Sequence, residues 1–255
     1  GRRLRDDQRL ADAARPGREA VRVVDETAMR ITSFDEFKEL AQRGTFVPVC
    51  KEIVADLLTP VSAFLKIAEH SDYAFLLESV EGGEHVGRYS FLGKDPFLIL
   101  RAREGKTIVE RAGETSESAK PFMATLRDLM AGFSSPFVPG LPRFTGGAVG
   151  YLGYDAAAWF EPVKLQDAVA TGQDEAGFML FDTVLAFDHV RHRILVIANA
   201  RITGDEDLES LYQFACAKIA FVERELQRGL SYQQQNGGAP LTVTSNVSRE
   251  EVERM

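Results

Sequence analysis

At 255 residues the chain is long enough to bury a full hydrophobic core, as one large domain or two small ones. Its hydrophobic share of 45% and charged share of 27% are ordinary for a soluble globular protein. The net charge of -8 argues against a nucleic-acid binder, which needs a basic face, and no apolar run approaches the length of a membrane span. Cys50 and Cys216 carry no metal or redox spacing and read as reduced structural thiols of a cytosolic protein.

The opening stretch "GRRLRDDQRLADAARPGREAVRVV" is arginine-rich and poor in large apolar residues, yet Asp6, Asp7 and Asp12 set it apart from a transit peptide. It is expected to be a mobile or helical extension over residues 1–31. The first predicted helix is "TSFDEFKELAQRG": Ser33 and Glu36 form a capping box, Phe34, Phe37 and Leu40 share a face, and Gly44 stops it. "TFVPVCKEIV" reads as an extended segment whose Pro48 suits an edge. In "LTPVSAFLKIAEH", Thr59 caps a helix with Pro60 at its first position.

Two hairpins follow. The first spans "YAFLLESVEGGEHVGRYSFLG"; the second joins "PFLILRARE" to "KTIVERA" through Glu104-Gly105. "SAKPFMATLRDLMAGF" is a helix with apolar spacing at Phe122, Leu126, Leu129 and Met130, and the Pro/Gly-rich "SSPFVPGLPR" divides the chain after it. In "FTGGAVGYLGYDAAAWFE", Gly146, Ala148 and Gly150 leave one strand face nearly bare, so that another backbone can pack closely. "GFMLFDTVLAFDHV" and "RHRILVIANA" read as two strands turning near His189 to His192. A helix from roughly Asp205 to Arg228 follows, with Leu208, Leu211, Phe214, Ile219 and Leu226 on its inner side. Residues 230–240 are a polar linker. Ser248 and Glu251 then start a new capped helix, so the chain is expected to stop as another domain begins. Strands outnumber helices and do not alternate with them, which predicts an α+β fold of largely antiparallel sheets packed with helices.

The first hairpin raises a chemical question. Alternation places Tyr73, Phe75, Leu77 and Ser79 on one face and Ala74, Leu76, Glu78 and Val80 on the other, both mostly apolar. A carboxylate between two covered faces needs a cation or hydrogen-bond donors, or it stays protonated. With a two-residue turn at Gly82-Gly83, Glu78 lies opposite Gly87 and Leu77 opposite Arg88, which puts Arg88 on the Ser79 face. Two readings stand. In one, Glu78 ends a strand and reaches solvent. In the other, it holds the ammonium of a small amino acid, with Ser79 and backbone donors for the carboxylate and Leu76, Leu77 and Tyr89 for an apolar side chain.

Other motifs point to structure. "GGAVGYLGYD" lacks the Gly-Lys-Ser/Thr ending of a phosphate loop and the spacing of a dinucleotide fingerprint. "HVRH" is half a metal site with no further ligands nearby, so His189 and His192 read as exposed turn residues. Asp182 and Asp188 alternate with apolar residues as in a half-exposed sheet, and Ser134 and Ser135 have no base that could make either a nucleophile.

Together "TSFDEFKELAQRGTFVPVCKEI", "LTPVSAFLKI", "FLLESVEGGEHVGRYSFLG", "PRFTGGAVGYLGYDAAAWFE" and "SNVSREEVERM" resemble, in order, the N-terminal domain of anthranilate synthase component I and the lead into its chorismate-binding domain. The resemblance covers residues from about Thr32 onward. It implies an N-terminal domain over 32–229 and the start of a truncated chorismate-binding domain over 241–255. In that family the "LLES" element contributes to an allosteric tryptophan site, which carries over to Leu77, Glu78 and Ser79; the "RYS" element carries over to Arg88, Tyr89 and Ser90. The resemblance places Tyr154 and Asp155 near an interface rather than in a catalytic site. It implies a cytoplasmic, magnesium-dependent lyase that converts chorismate and ammonia to anthranilate and pyruvate, with a glutamine amidotransferase component II as partner. The magnesium ligands and catalytic residues are expected beyond Met255, so no cofactor is expected on this chain and no turnover from it alone. Two alternatives are the related aminodeoxychorismate synthase and a stand-alone amino-acid-binding domain.

Overall fold

A computed structural model describes residues 31–54, 58–78, 87–163, 172–204, 206–229 and 253–254. The order is α1 (Phe34–Ala41), β1 (Phe46–Val54), α2 (Pro60–Ala68), β2 (Ala74–Leu77), β3 (Tyr89–Lys94), β4 (Leu98–Arg103), β5 (Lys106–Arg111), β6 (Glu114–Ser118), α3 (Phe122–Ala131), β7 (Gly147–Leu152), a 3-10 turn (Tyr154–Trp159), β8 (Ala176–Phe181), β9 (Thr183–Asp188), β10 (Arg193–Arg201) and α4 (Leu208–Gln227). The expected α+β class with antiparallel sheets is what forms. Sheet one runs β1-β10-β9-β3-β2 and sheet two runs β6-β5-β4-β8-β7, every pairing antiparallel.

The helices start where their caps say. The Ser33 hydroxyl accepts from the Glu36 N–H while the Glu36 carboxylate accepts from the Ser33 N–H, and Thr59 and Ser62 repeat that reciprocal arrangement ahead of Pro60. The end of α1 has a different cause from the expected one. It stops at Ala41, and Gly44 serves close approach: a Cβ there would lie 2.4 Å from the Ser134 carbonyl oxygen. Helices α1, α2 and α4 cover one face of sheet one, burying Phe37, Ile67, Leu92, Ile194, Val196 and Ile219. The other face, with Phe75, Leu195 and Ile197, meets Phe181, Val149 and Met179 of sheet two and Phe144 of the preceding segment. Helix α3 covers the far face of sheet two over Leu98, Leu100 and Leu180. Each large side chain buried in these layers contributes about 1.5–3 kcal/mol.

Four departures from the sequence reading matter. The run "GFMLFDTVLAFDHV" is two strands: β8 belongs to sheet two and β9 to sheet one, with the chain changing sheets at Asp182. Uniform apolar character on both sides of Asp182 conceals that switch. Strand β6, "ETSES", is a fifth strand of sheet two without any apolar period to reveal it, joined to β5 by a turn in which Ala112 and Gly113 have φ of 52° and 81°. The "SSPFVPGLPR" segment packs onto the core through Pro136 and Leu141 rather than separating two bodies. On α4 the buried stripe runs through Ala215, Ile219, Val222 and Leu226, leaving Phe214 63% exposed.

The bare strand face is as expected. A Cβ on Gly150 would come within 2.0 Å of the Gly177 carbonyl oxygen, so β7 and β8 pack at a distance only glycine allows there. Pro48 sits in β1, an edge strand, as its missing N–H requires. Both cysteines are free. Among the described residues no helix is long and apolar enough to cross a membrane. The extension at 1–30, the linker at 230–240 and the Ser248 capping box lie outside the described residues.

Candidate functional site

One rim of sheet one gathers the residues singled out in the first hairpin. Antiparallel register brings the end of β2, the start of β3, the β9–β10 turn and the end of β1 side by side: Leu77 faces Phe91, Tyr89 faces Asp188, Asp188 faces Arg193, and Arg193 faces Val54.

The hairpin register differs from the expected one. Leu77 pairs with Phe91, three residues beyond Arg88, so Gly87 is not beside Glu78 and the faces are exchanged. Residues 78–88 lie between the two strands, which is far more than a two-residue turn. The Gly82-Gly83 turn and Ser79 lie outside the described residues, so the relation of Arg88 to the Ser79 face is not described. The expectation that β2 is covered on both faces is corrected as well. It is an edge strand of four residues, its Phe75 buried and its Leu77 48% exposed. Glu78 is exposed, and no described residue pairs with it.

Arg88, Tyr89 and Ser90 are each engaged by the β9–β10 turn. Arg88 donates from Nε to Asp188 Oδ1 at 3.0 Å and from Nη2 to Oδ2 at 2.8 Å, the two-pronged geometry that a guanidinium and a carboxylate share. Its guanidinium carbon lies 4.8 Å from the centre of the Tyr89 ring. The Arg88 carbonyl accepts from the His189 N–H at 2.9 Å. Ser90 is fully buried, its hydroxyl 2.7 Å from His189 Nε2. His189 is therefore exposed, as expected for a turn, and also a partner of the first hairpin.

Asp188 is the centre of this arrangement and, unlike the half-exposed position its alternation with apolar residues predicts, it is 1% exposed. Its carboxylate also accepts from the Arg191 N–H at 3.3 Å and lies 3.5 Å from Arg193 Nε, while Arg193 Nη1 binds Glu52. Burial opposes ionisation of Asp188, but the hydrogen bonds from Arg88 and Arg191 and the nearby arginine charges outweigh it and hold the carboxyl below the usual carboxylate range. Burial raises the Tyr89 hydroxyl, with Asp188 adding to the effect, so the ring stays neutral at physiological pH. Burial likewise pushes the neighbouring Cys50 thiol up to about 12, which leaves it an unreactive thiol. Nothing local in the sequence announces Asp188 as a partner of Arg88, 100 positions away.

The opposite end of sheet one holds a cavity of about 400 Å³ between α4 and the sheet, bordered by Lys94, Lys218, Phe214 and Phe221. Both lysines are already paired, Lys94 with Glu225 and Lys218 with Asp182, each at 2.7 Å. That end is built as structure. Among the described residues no group of three His, Cys, Asp or Glu side chains could hold a metal ion.

No family model matches the chain. Anthranilate synthase component 1 of Acetivibrio thermocellus is 38% identical over 229 residues, covering 86% of this chain and 45% of that protein. The protein of the same name from Synechocystis is 41% identical over 197 residues, 76% of this chain and 39% of its own length. A probable anthranilate synthase component 1 of Schizosaccharomyces pombe is 37% identical over 197 residues, 75% of this chain and 37% of its own length. The crystal structure of anthranilate synthase component I from Streptococcus pneumoniae TIGR4 aligns with a TM-score of 0.42 and 22% identity over 67% of this chain and 36% of that one. The chain thus spans less than half the length of these curated relatives. Identity of 37–41% along three quarters or more of the chain places it in the anthranilate synthase component 1 family.

Proposed function

We propose that this chain is the tryptophan-sensing portion of an anthranilate synthase component 1. The whole protein would convert chorismate and ammonia to anthranilate and pyruvate, the ammonia coming from glutamine through an amidotransferase component II. The observation that carries this reading is the 38% identity to a protein of that name over 86% of the chain. In this reading chorismate and magnesium are held by residues outside these 255, and no catalytic step is assigned to the residues described above.

The tryptophan site is read at Leu77, Glu78, Ser79, Arg88, Tyr89 and Ser90, of which all but Ser79 are described and lie at this rim. The geometry in support is an exposed Glu78 with no described partner, beside an exposed Leu77 and close in the fold to the half-buried Tyr89. A carboxylate, an apolar ledge and a neutral aromatic ring suit an amino acid with a large apolar side chain. Inhibition then requires that tryptophan bind an inactive arrangement better than the active one, and the ratio of the two affinities limits the effect.

Calorimetric titration of L-tryptophan into the 255-residue chain tests the site. Heat from the wild type that is lost in Glu78→Ala and Ser79→Arg is the expected result; equal heats from all three would remove this rim from the site. Anthranilate fluorescence with chorismate and ammonium tests the division of labour. Turnover by these 255 residues on their own would sink it.

A further inference from the structure

We propose that the cavity between α3 and the β4–β5 turn is a site for a small aromatic carboxylate, separate from the rim and independent of the tryptophan reading. It measures about 330 Å³, at the small end of the range for ligand pockets, and lies on the far face of sheet two beside the start of α3. One wall is aromatic. The Trp159 ring stands 5.6 Å from that of Phe122, with the exposed Phe160 next to it. The other wall supplies donors. Helix α3 starts there, and Pro121, Phe122 and Met123 all border the cavity. Its N-terminus has no side-chain cap and no acidic residue in the first turn. The N–H groups of Phe122 and Met123 therefore have no partner among the described residues, at the end of the helix that favours negative charge.

A helix start alone attracts any anion weakly; Thr107 and Arg127 make this one a site. Thr107 lies on the same face of β5 as Val109, borders the cavity and is 4% exposed. Its hydroxyl nevertheless makes no hydrogen bond among the described residues, and a buried hydroxyl without a partner is costly unless a ligand or water supplies one. Arg127, one turn beyond Met123 on α3, also borders the cavity and has no ion pair among the described residues. The other charges nearby are engaged. Lys106 pairs with Glu117 at 3.3 Å, Lys120 pairs with Asp128, and Glu175 accepts from the Gly105 N–H at 3.4 Å. A guanidinium fork, a hydroxyl and helix N–H groups match the oxygens of a carboxylate, and the Phe122–Trp159 wall matches a flat ring. A bare inorganic anion would leave that wall unused.

Trp159 is the only tryptophan of the chain, so its emission reports on this cavity directly. The test titrates benzoate, acetate, benzyl alcohol and inorganic phosphate into the 255-residue chain at constant ionic strength. Benzoate should change the emission saturably. The other three each lack the ring or the carboxylate and should bind at least about tenfold more weakly. Arg127→Gln should weaken benzoate at least about tenfold and leave benzyl alcohol unchanged. Thr107→Val keeps the shape and removes the hydroxyl. It should weaken benzoate about fivefold with no loss of stability to urea, because no bond within the fold is broken. A Thr107→Val variant that unfolds more readily would show the hydroxyl serving the fold and overturn its place in the site. A flat emission with benzoate, or a linear quench that never saturates, overturns the site. So does benzoate binding no tighter than benzyl alcohol or phosphate, or binding indifferent to Arg127→Gln. None of these results bears on tryptophan calorimetry at the rim, so the two readings fail separately.

Discussion

Asp182 and Asp188 bracket β9, both are buried, and they are neutralised in different ways. Asp188 faces a planar fork from Arg88, a backbone N–H from Arg191 and a second arginine at 3.5 Å. Asp182 is met by Lys218 of α4 at 2.7 Å and by the Thr183 hydroxyl at 2.9 Å. A lysine is a point charge on a flexible stem that can swing to water, whereas a guanidinium committed to two bonds holds direction as well as charge. The rim end thus spends its electrostatics on orienting three segments. The sheet-switching end spends them on pinning a helix across the place where the chain changes sheets. There Asn199 adds rigidity, its Nδ2 donating to the Thr145 carbonyl at 2.6 Å and the Asp182 carbonyl at 3.0 Å.

The largest expected effect is at the rim. Asp188→Ala leaves Arg88 without its anion and Arg193 with Glu52 alone, and should cost about 3 kcal/mol in urea unfolding, at the low end for a broken buried pair because Arg88 reaches solvent. Its pH dependence follows from the lowered carboxyl. A carboxylate whose folded value lies below its unfolded one, near 3.9, contributes its stability in full above about pH 5. That stability is lost as pH falls through the folded value. The gap between wild type and Asp188→Ala should therefore be constant from about pH 5 to 7 and close below about pH 4. A gap that persists undiminished at pH 2 would mean the cost is packing rather than charge.

Next in size is Asn199→Ala, which takes the side-chain donor from the Thr145 carbonyl while the Asp182 carbonyl keeps the Asn199 N–H at 2.7 Å, and should cost about 2 kcal/mol. Asp182→Ala should cost about 1 kcal/mol, because the freed Lys218 is partly exposed and can hydrate. If Asp182→Ala proved as costly as Asp188→Ala, the distinction between an orienting and a pinning aspartate would fail.

The same contrast shows what was legible in the sequence. The Ser33 and Thr59 caps, the Glu104-Gly105 turn and the bare face around Gly150 were readable because each is decided by residues within a few positions. The sheet switch at Asp182 was not, since a continuous apolar run looks the same whether it serves one sheet or two. The polar strand β6 was not either, because it is held by β5 and by a turn at Ala112-Gly113 rather than by burial. At the rim, the kinds of residue were visible and their partners were not. The sequence places Arg88 on the Ser79 face, while its bonds go to Asp188, reached only when β9 is laid beside β3.

The smallest stability effect separates function from scaffold. Glu78 is exposed at the end of an edge strand with no described partner, so Glu78→Ala should change unfolding free energy by no more than about 0.5 kcal/mol. If the tryptophan reading holds, the same variant loses most of the tryptophan heat, because the ammonium then loses the exposed carboxylate of Glu78. Asp188→Ala should show a large loss of stability. One residue would matter to the ligand and hardly to the fold; the other would matter to the fold through what it does to Arg88. A Glu78→Ala variant that destabilises the chain as much as Asp188→Ala would show that Glu78 has a structural partner, and its place as the rim's free anion would be lost.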